Sequence, residues 1–138
     1  MDHYEALERT HSGGFVLLLD FPVEGEVGLD ARSWFTGKRF KGIKMIPPGL
    51  HLLTFGAGGG FLQGRWFESR PGSVLVLRWD KANEDLSPGS GMSDEEAARY
   101  AEGVRRFDFD AGMAPYGRDD WQVLASLLVC SQSFAPLP

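Results

Sequence analysis

For its first eighty residues the chain sets short apolar runs between Gly/Pro breaks; beyond them the apolar positions adopt helical spacing. Residues 15–19, Phe-Val-Leu-Leu-Leu, form an unbroken apolar run, the pattern of a strand buried on both faces. Pro22 and Gly25 mark a turn. Val27, Leu29 and Ala31 then alternate with Gly28, Asp30 and Arg32, the period-two pattern of a half-exposed strand. Two further apolar runs, 43–46 and 50–55, flank Pro47-Pro48-Gly49. Proline fixes φ at the first corner of a tight turn, and glycine supplies the positive φ that a type II turn needs at its second. Pro47 also biases Ile46 toward an extended backbone, so the stretch predicts strand, stiff hairpin turn, strand. The glycines at 56 and 58–60 read as a plain hairpin loop, because no lysine followed by Ser or Thr makes them a phosphate cradle. The next strand spans 61–67, with Phe61, Gln63, Arg65 and Phe67 on one face and Leu62, Gly64 and Trp66 on the other. Pro71-Gly72 turns the chain into a last strand over 74–79.

About six short strands joined by Gly/Pro turns predict a mainly β (α+β) fold. Its body is expected to be an antiparallel β-sandwich or small barrel, with short helices toward the C-terminal end. Residues 81–92 read as a polar loop. Ser93-Asp94-Glu95-Glu96 is a capping box, in which the Ser93 hydroxyl accepts from the Glu96 amide and Glu96 reaches back. Ala97, Tyr100, Ala101, Val104 and Phe107 follow at helical spacing and give a stripe to lay on the sheet. Residues 108–116 break the pattern, and a second helix is expected from Asp119 or Asp120 to Cys130. Its apolar residues cover too much of its circumference for a surface helix. A short helix is also expected over residues 2–10. The domain reading is a β body over 1–110, then a linker and one apolar helix over 111–138 that opens a further helical domain.

Composition narrows the classes. With 138 residues, 43% apolar and 24% charged, the chain suits one globular domain with a sizeable core. Its net charge of −5 disfavours broad phosphate binding, so no direct nucleic-acid contact is expected. A lone Cys130 excludes an internal disulfide and supplies no thiolate cluster, which suits a reducing compartment. Early acidic residues rule out a secretory signal, and no apolar run is long enough to span a bilayer. A soluble protein of cytoplasm and nucleus, without a membrane partner, is the expectation.

Candidate chemistry is sparse. His51 follows the Pro-Pro-Gly turn, but a metal site needs several converging ligands, and His3 and His11 lie far off in the N-terminal segment. A hydrogen-bonded histidine beside the turn is the expectation. Asp30, Ser33 and His51 suggest a nucleophilic triad, yet Gly89-Ser90-Gly91 lies in a polar loop and lacks the strand-to-helix setting of a nucleophile elbow. We therefore expect no enzyme, no cofactor and no metal; a cupin-like enzyme is the weaker alternative. Lys38, Arg39, Lys41 and Lys44 surround Phe40 in an otherwise acidic chain. Three readings stand for that patch: a solvated hairpin flank, an RNA-binding module with Phe40 as stacking platform, and a protein contact anchored on Trp34 and Phe40. The four tryptophans read as core or cap residues.

The run from 25 to 51 closely resembles the Aar-two splicing-factor family. Gly28 and Asp30, Ser33-Trp34, Phe40, Gly42, and 44–49 with His51 follow that family's motif in order. Val76-Leu77-Arg78-Trp79, and Pro115-Tyr116 ahead of Trp121, agree with it further on. The resemblance implies a β-sandwich-like N-terminal domain of a pre-mRNA splicing factor. It implies an assembly chaperone of the U-five small nuclear ribonucleoprotein, whose partner is the central scaffold protein of the spliceosome, bound through its RNase H-like and MPN-type domains. The family's helical domain and C-terminal tail have no counterpart in these residues. On this reading the protein-binding residues are Trp34, Lys38, Phe40, Lys41, Lys44, Met45, Pro47, Pro48 and His51.

Overall fold

The computed structural model describes residues 4, 12–30, 32–58, 62–87 and 92–117. The helix expected over 119–130 lies outside them, as does all but Tyr4 of the one expected over 2–10. Nine strands occur among the described residues: β1 (Gly14–Leu19), β2 (Glu26–Leu29), β3 (Arg32–Phe35), β4 (Gly42–Ile46), β5 (Gly49–Gly56), β6 (Gln63–Ser69), β7 (Val74–Asp80), β8 (Asp85–Ser87) and β9 (Met113–Pro115). Helix α1 (Asp94–Arg105) and a 3₁₀ turn (Asp110–Gly112) separate the last two. One sheet has the order β8-β7-β1-β4-β9, the other β3-β2-β5-β6. The mainly β, sandwich-like body is thus what the chain forms, as two sheets rather than a barrel.

β1 lies at the centre of the first sheet, and its apolar run serves two cores. Val16 and Leu18 pack with Val27, Leu29, Leu53 and Phe55 of the second sheet. Phe15 and Leu17 face the other way, with Val76, Val104 and Met113, where α1 covers the sheet. An alternating sequence would have left one of these layers without its apolar face. Because β1 pairs parallel with β7, and β4 parallel with β9, the expectation of purely antiparallel layers does not hold.

The Pro-Pro-Gly turn also differs from expectation. β4 belongs to the first sheet and β5 to the second, so residues 47–48 form a corner between layers, not a hairpin. Just before it, Val16 pairs with Ile43 while Gly14 pairs with Ile46, so β4 carries one extra residue. Met45 takes up that bulge with φ 61°, its side chain buried. An inward kink followed by two prolines delivers the chain to the opposite sheet.

Two further expectations are corrected. The polar loop over 81–92 contains β8, whose Leu86 is fully buried and pairs opposite Trp79. A single well-placed apolar residue was too weak a pattern to reveal a strand. The boundary expected after residue 110 falls inside the body, since β9 supplies a sheet edge and Tyr116 is buried in the main core. α1 starts as expected: Ser93 Oγ accepts from the Glu96 amide at 3.2 Å. Glu96 does not complete the box but accepts from Arg78 of β7 at 3.1 Å, tying helix to sheet. Phe107 leaves the helical stripe; it lies past the helix end with φ 66° and 52% exposure, and Phe109 packs in the second core.

Two glycines distinguish strain from collision. Gly49 has φ +131° with open space around a hypothetical Cβ, whereas a Cβ on Gly42, at φ +154°, would run into the Val16 carbonyl. Gly49→Val is therefore expected to destabilise by about 1–2 kcal/mol through backbone strain alone. Gly42→Ala adds displacement of β1 and is expected to cost about 3 kcal/mol or more. Urea unfolding of the two variants checks this ranking; equal losses would refute the assignment of Gly42 to close packing.

Candidate functional site

The corner folds His51 back beneath itself. Its side chain is fully buried, with Nε2 2.6 Å from the Pro47 carbonyl and Nδ1 2.6 Å from Asp30 Oδ2. Asp30 closes β2 in a left-handed conformation (φ 54°), which turns its carboxylate inward and leaves that side chain 16% exposed. The same Oδ2 accepts from the Tyr116 hydroxyl at 2.9 Å, and Oδ1 accepts from the Leu52 amide at 3.1 Å. Phe67 and Tyr116 flank the imidazole, with ring centroids 5.7 and 5.9 Å away.

Both imidazole nitrogens therefore face acceptors. Burial pushes the Asp30 carboxyl pKa up. The His51 hydrogen bond, the Leu52 amide, the His51 charge and the Tyr116 hydroxyl outweigh it and hold the pKa below its ordinary 3.8. The expected hydrogen-bonded histidine is present, and of the two residues grouped with it in the sequence Asp30 is its partner. Ser33 takes no part in this network: opposite Gly28 in the β2–β3 pairing, it is exposed on the second sheet. Among the described residues no group of three His, Cys, Asp or Glu is placed to hold a metal ion, and no helix is long and apolar enough to cross a membrane. The network ties the sheets together: Asp30 bonds to His51 and Leu52 of the second sheet and to Tyr116, which follows β9 of the first.

The residues assigned to protein binding divide by depth. Lys38, Lys41 and Pro48 are exposed; Trp34, Phe40 and Lys44 are half-buried; Met45, Pro47 and His51 are buried. Trp34 and Phe40 pack against the main core, and the Arg32 guanidinium lies 5.4 Å over the Trp34 ring. Lys44 is held by Asp110 at 2.8 Å, joining β4 to the 3₁₀ turn. Buried members thus shape the corner from within, while Lys38 and Lys41, with Arg39, form its free charged surface. A feature overlooked in the sequence is the outer face of the second sheet. Leu50 and Trp66 there are 61% and 65% exposed, so Trp66 is neither core nor cap. The alternation along 61–67 had assigned Trp66 to the face away from Phe67, and this is where it lies.

Fold and site together define a small β-sandwich module whose polar centre is built into its core and whose corner is basic. Comparison of the whole sequence places the chain in a family. It belongs to the AAR2 family: the model of the AAR2 N-terminal domain matches residues 12–131. The chain is similar to the protein AAR2 homologs of Homo sapiens (34% identity over 125 residues, 84% of this chain and 32% of that protein) and Mus musculus (33% over 125 residues, 84% and 31%). It is also similar to the Caenorhabditis elegans homolog, at 31% identity over 112 residues, covering 80% of this chain and 30% of that protein. The chain thus spans about a third of the length of these relatives.

Removing Asp30 would take one hydrogen-bond partner from the His51 ring, the Tyr116 hydroxyl and the Leu52 amide together. Asp30→Ala is accordingly expected to destabilise by about 2–4 kcal/mol, and Tyr116→Phe by about 1–1.5 kcal/mol. Tryptophan fluorescence in urea measures both, and equal losses would refute Asp30 as the hub. A depressed folded pKa means that the Asp30 contribution is complete above the ordinary value of 3.8 and is lost as pH falls through the lower folded value. Wild-type stability should fall across that acid window, and Asp30→Asn should flatten part of the fall.

Proposed function

We propose that this chain is a non-enzymatic docking module of pre-mRNA splicing, acting in the cytoplasm and nucleus. It takes part in assembling the U-five small nuclear ribonucleoprotein by binding the central scaffold protein of the spliceosome through that protein's RNase H-like and MPN-type domains. The observation that carries this reading is membership of the AAR2 family across residues 12–131. The site supports it: a buried polar network that ties the sheets together suits a rigid recognition surface better than a reaction centre. The cations of the loop over 37–41 then face the partner, and Met45, Pro47 and His51 fix the corner that supports them. An RNA-binding role is disfavoured because Phe40 packs into the core and the chain carries a net charge of −5.

Gel filtration of the chain with the scaffold's purified RNase H-like domain tests this. A stable one-to-one complex is expected, and separate elution at micromolar concentration would overturn the proposal. Lys38→Glu with Lys41→Glu should weaken the complex at least tenfold, roughly 1.4 kcal/mol. Lys44→Glu is a poorer probe, because it sets a carboxylate against Asp110 and disturbs the fold.

A further inference from the structure

Five of the twelve lysines and arginines among the described residues have an acidic neighbour within the fold. Lys44 meets Asp110, Arg70 meets Glu68, Arg78 meets Glu96, Arg105 meets Glu102 and Arg106 meets Asp108. Lys38, Arg39 and Lys41 are exposed, and no ion pair to them occurs among the described residues. Three positive charges without an ion-pair partner among the described residues, within four positions of a chain with net charge −5, leave a locally positive field.

The same loop lines an open, shallow groove of about 450 Å³, to which Phe40, Met113 and Ala114 bring apolar surface and Lys38 and Arg39 bring charge. It adjoins a second cleft of about 260 Å³ that brings in Lys41. Asp108 sits at that end, 3.4 Å from the Arg106 guanidinium. The walls are stitched together before any partner arrives: the Lys41 amide donates to the Gly112 carbonyl at 2.8 Å, and Lys44 holds Asp110. Preformed walls spare a ligand the cost of ordering the loop.

Strand addition does not suit this edge. β9 borders the first sheet, but the Met113 amide already bonds to the Asp110 carbonyl, and Pro115 has no amide hydrogen. A partner must therefore engage through side chains. The groove has room for one large apolar side chain and the rim offers charges for carboxylates. Building on the protein-docking reading above, we infer that the groove between residues 37–41 and 111–114 receives an acidic segment of a partner protein, with one aromatic or aliphatic side chain seated between flanking carboxylates. RNA fits less well, since Phe40 contributes to the lining from within the core and is not a free stacking face.

A fluorescein-labelled peptide Asp-Glu-Asp-Phe-Asp-Glu, titrated with the whole chain in fluorescence anisotropy and, unlabelled, into the ¹⁵N-labelled chain, tests the assignment. Amide shifts are expected to cluster at 38–41 and 111–114. Binding should weaken at least tenfold for the Asn/Gln version, for Phe replaced by Ser, and for Ala111→Trp, which fills the groove while keeping every cation. Ala111 is exposed, so the unfolding midpoint of Ala111→Trp should stay at the wild-type value. Shifts elsewhere, equal binding of the neutral peptide, unchanged binding by Ala111→Trp, or tighter binding of oligouridylate at the same amides would each overturn the inference. Peptide binding in the groove without a complex with the scaffold domain would leave this site standing and remove only its assigned partner. A scaffold complex indifferent to Ala111→Trp would do the reverse.

Discussion

The contact on which this fold most depends is the one between the buried His51 ring and the Asp30 carboxylate, 2.6 Å apart. It joins the end of β2 to β5, and through the Tyr116 hydroxyl it holds the segment that follows β9. Because β9 belongs to one sheet and β2 with β5 to the other, a single carboxylate links both layers. A polar contact taken from water is stabilising only where geometry is good and the remaining donors and acceptors are occupied. Here the Leu52 amide and the Tyr116 hydroxyl donate to the carboxylate, and the Pro47 carbonyl meets the far nitrogen of the ring. The network also specifies register, since a slip of β2 by one residue would carry Asp30 to the opposite face.

The backbone around this contact is correspondingly constrained. Asp30 and Met45 are both left-handed, conformations that cost of order 1–3 kcal/mol where the surroundings do not enforce them. The Met45 bulge lets Ile46 stay buried while Pro47 turns toward the second sheet, and the Pro47 carbonyl then meets His51. Of the corner, the Pro47 carbonyl and His51 are bonded into the network.

Local signals were legible in the sequence. The Ser93 cap, the double-sided burial of β1 and the alternation of Gln63, Arg65 and Phe67 against Trp66 all depend on neighbours a few residues away, where periodicity speaks directly. What the sequence hid is long-range. Nothing in the pattern around Asp30 or Tyr116 announces that they meet across 86 positions. Parallel pairing of β1 with β7 requires knowing which strands are neighbours in space. Pro-Pro-Gly specifies that the chain turns, yet the same three residues serve a hairpin and a crossover between layers. Which one forms depends on the partner sheet.

This division bears on how the family motif is read. Of the run from 44 to 51, Met45, Ile46, Pro47 and His51 are buried, and Lys44 is tied to Asp110. That part of the motif is recognisable because the corner tolerates little else: it encodes the fold's constraint. Lys38, Arg39 and Lys41 are under no such demand, for they are exposed and sit on a loop whose shape is set by the Lys41 amide and by the packing of Phe40. A residue fixed by packing identifies a family. A charge that the fold neither needs nor neutralises is where a partner's chemistry is met, and in this molecule the two kinds lie side by side on the same stretch of chain.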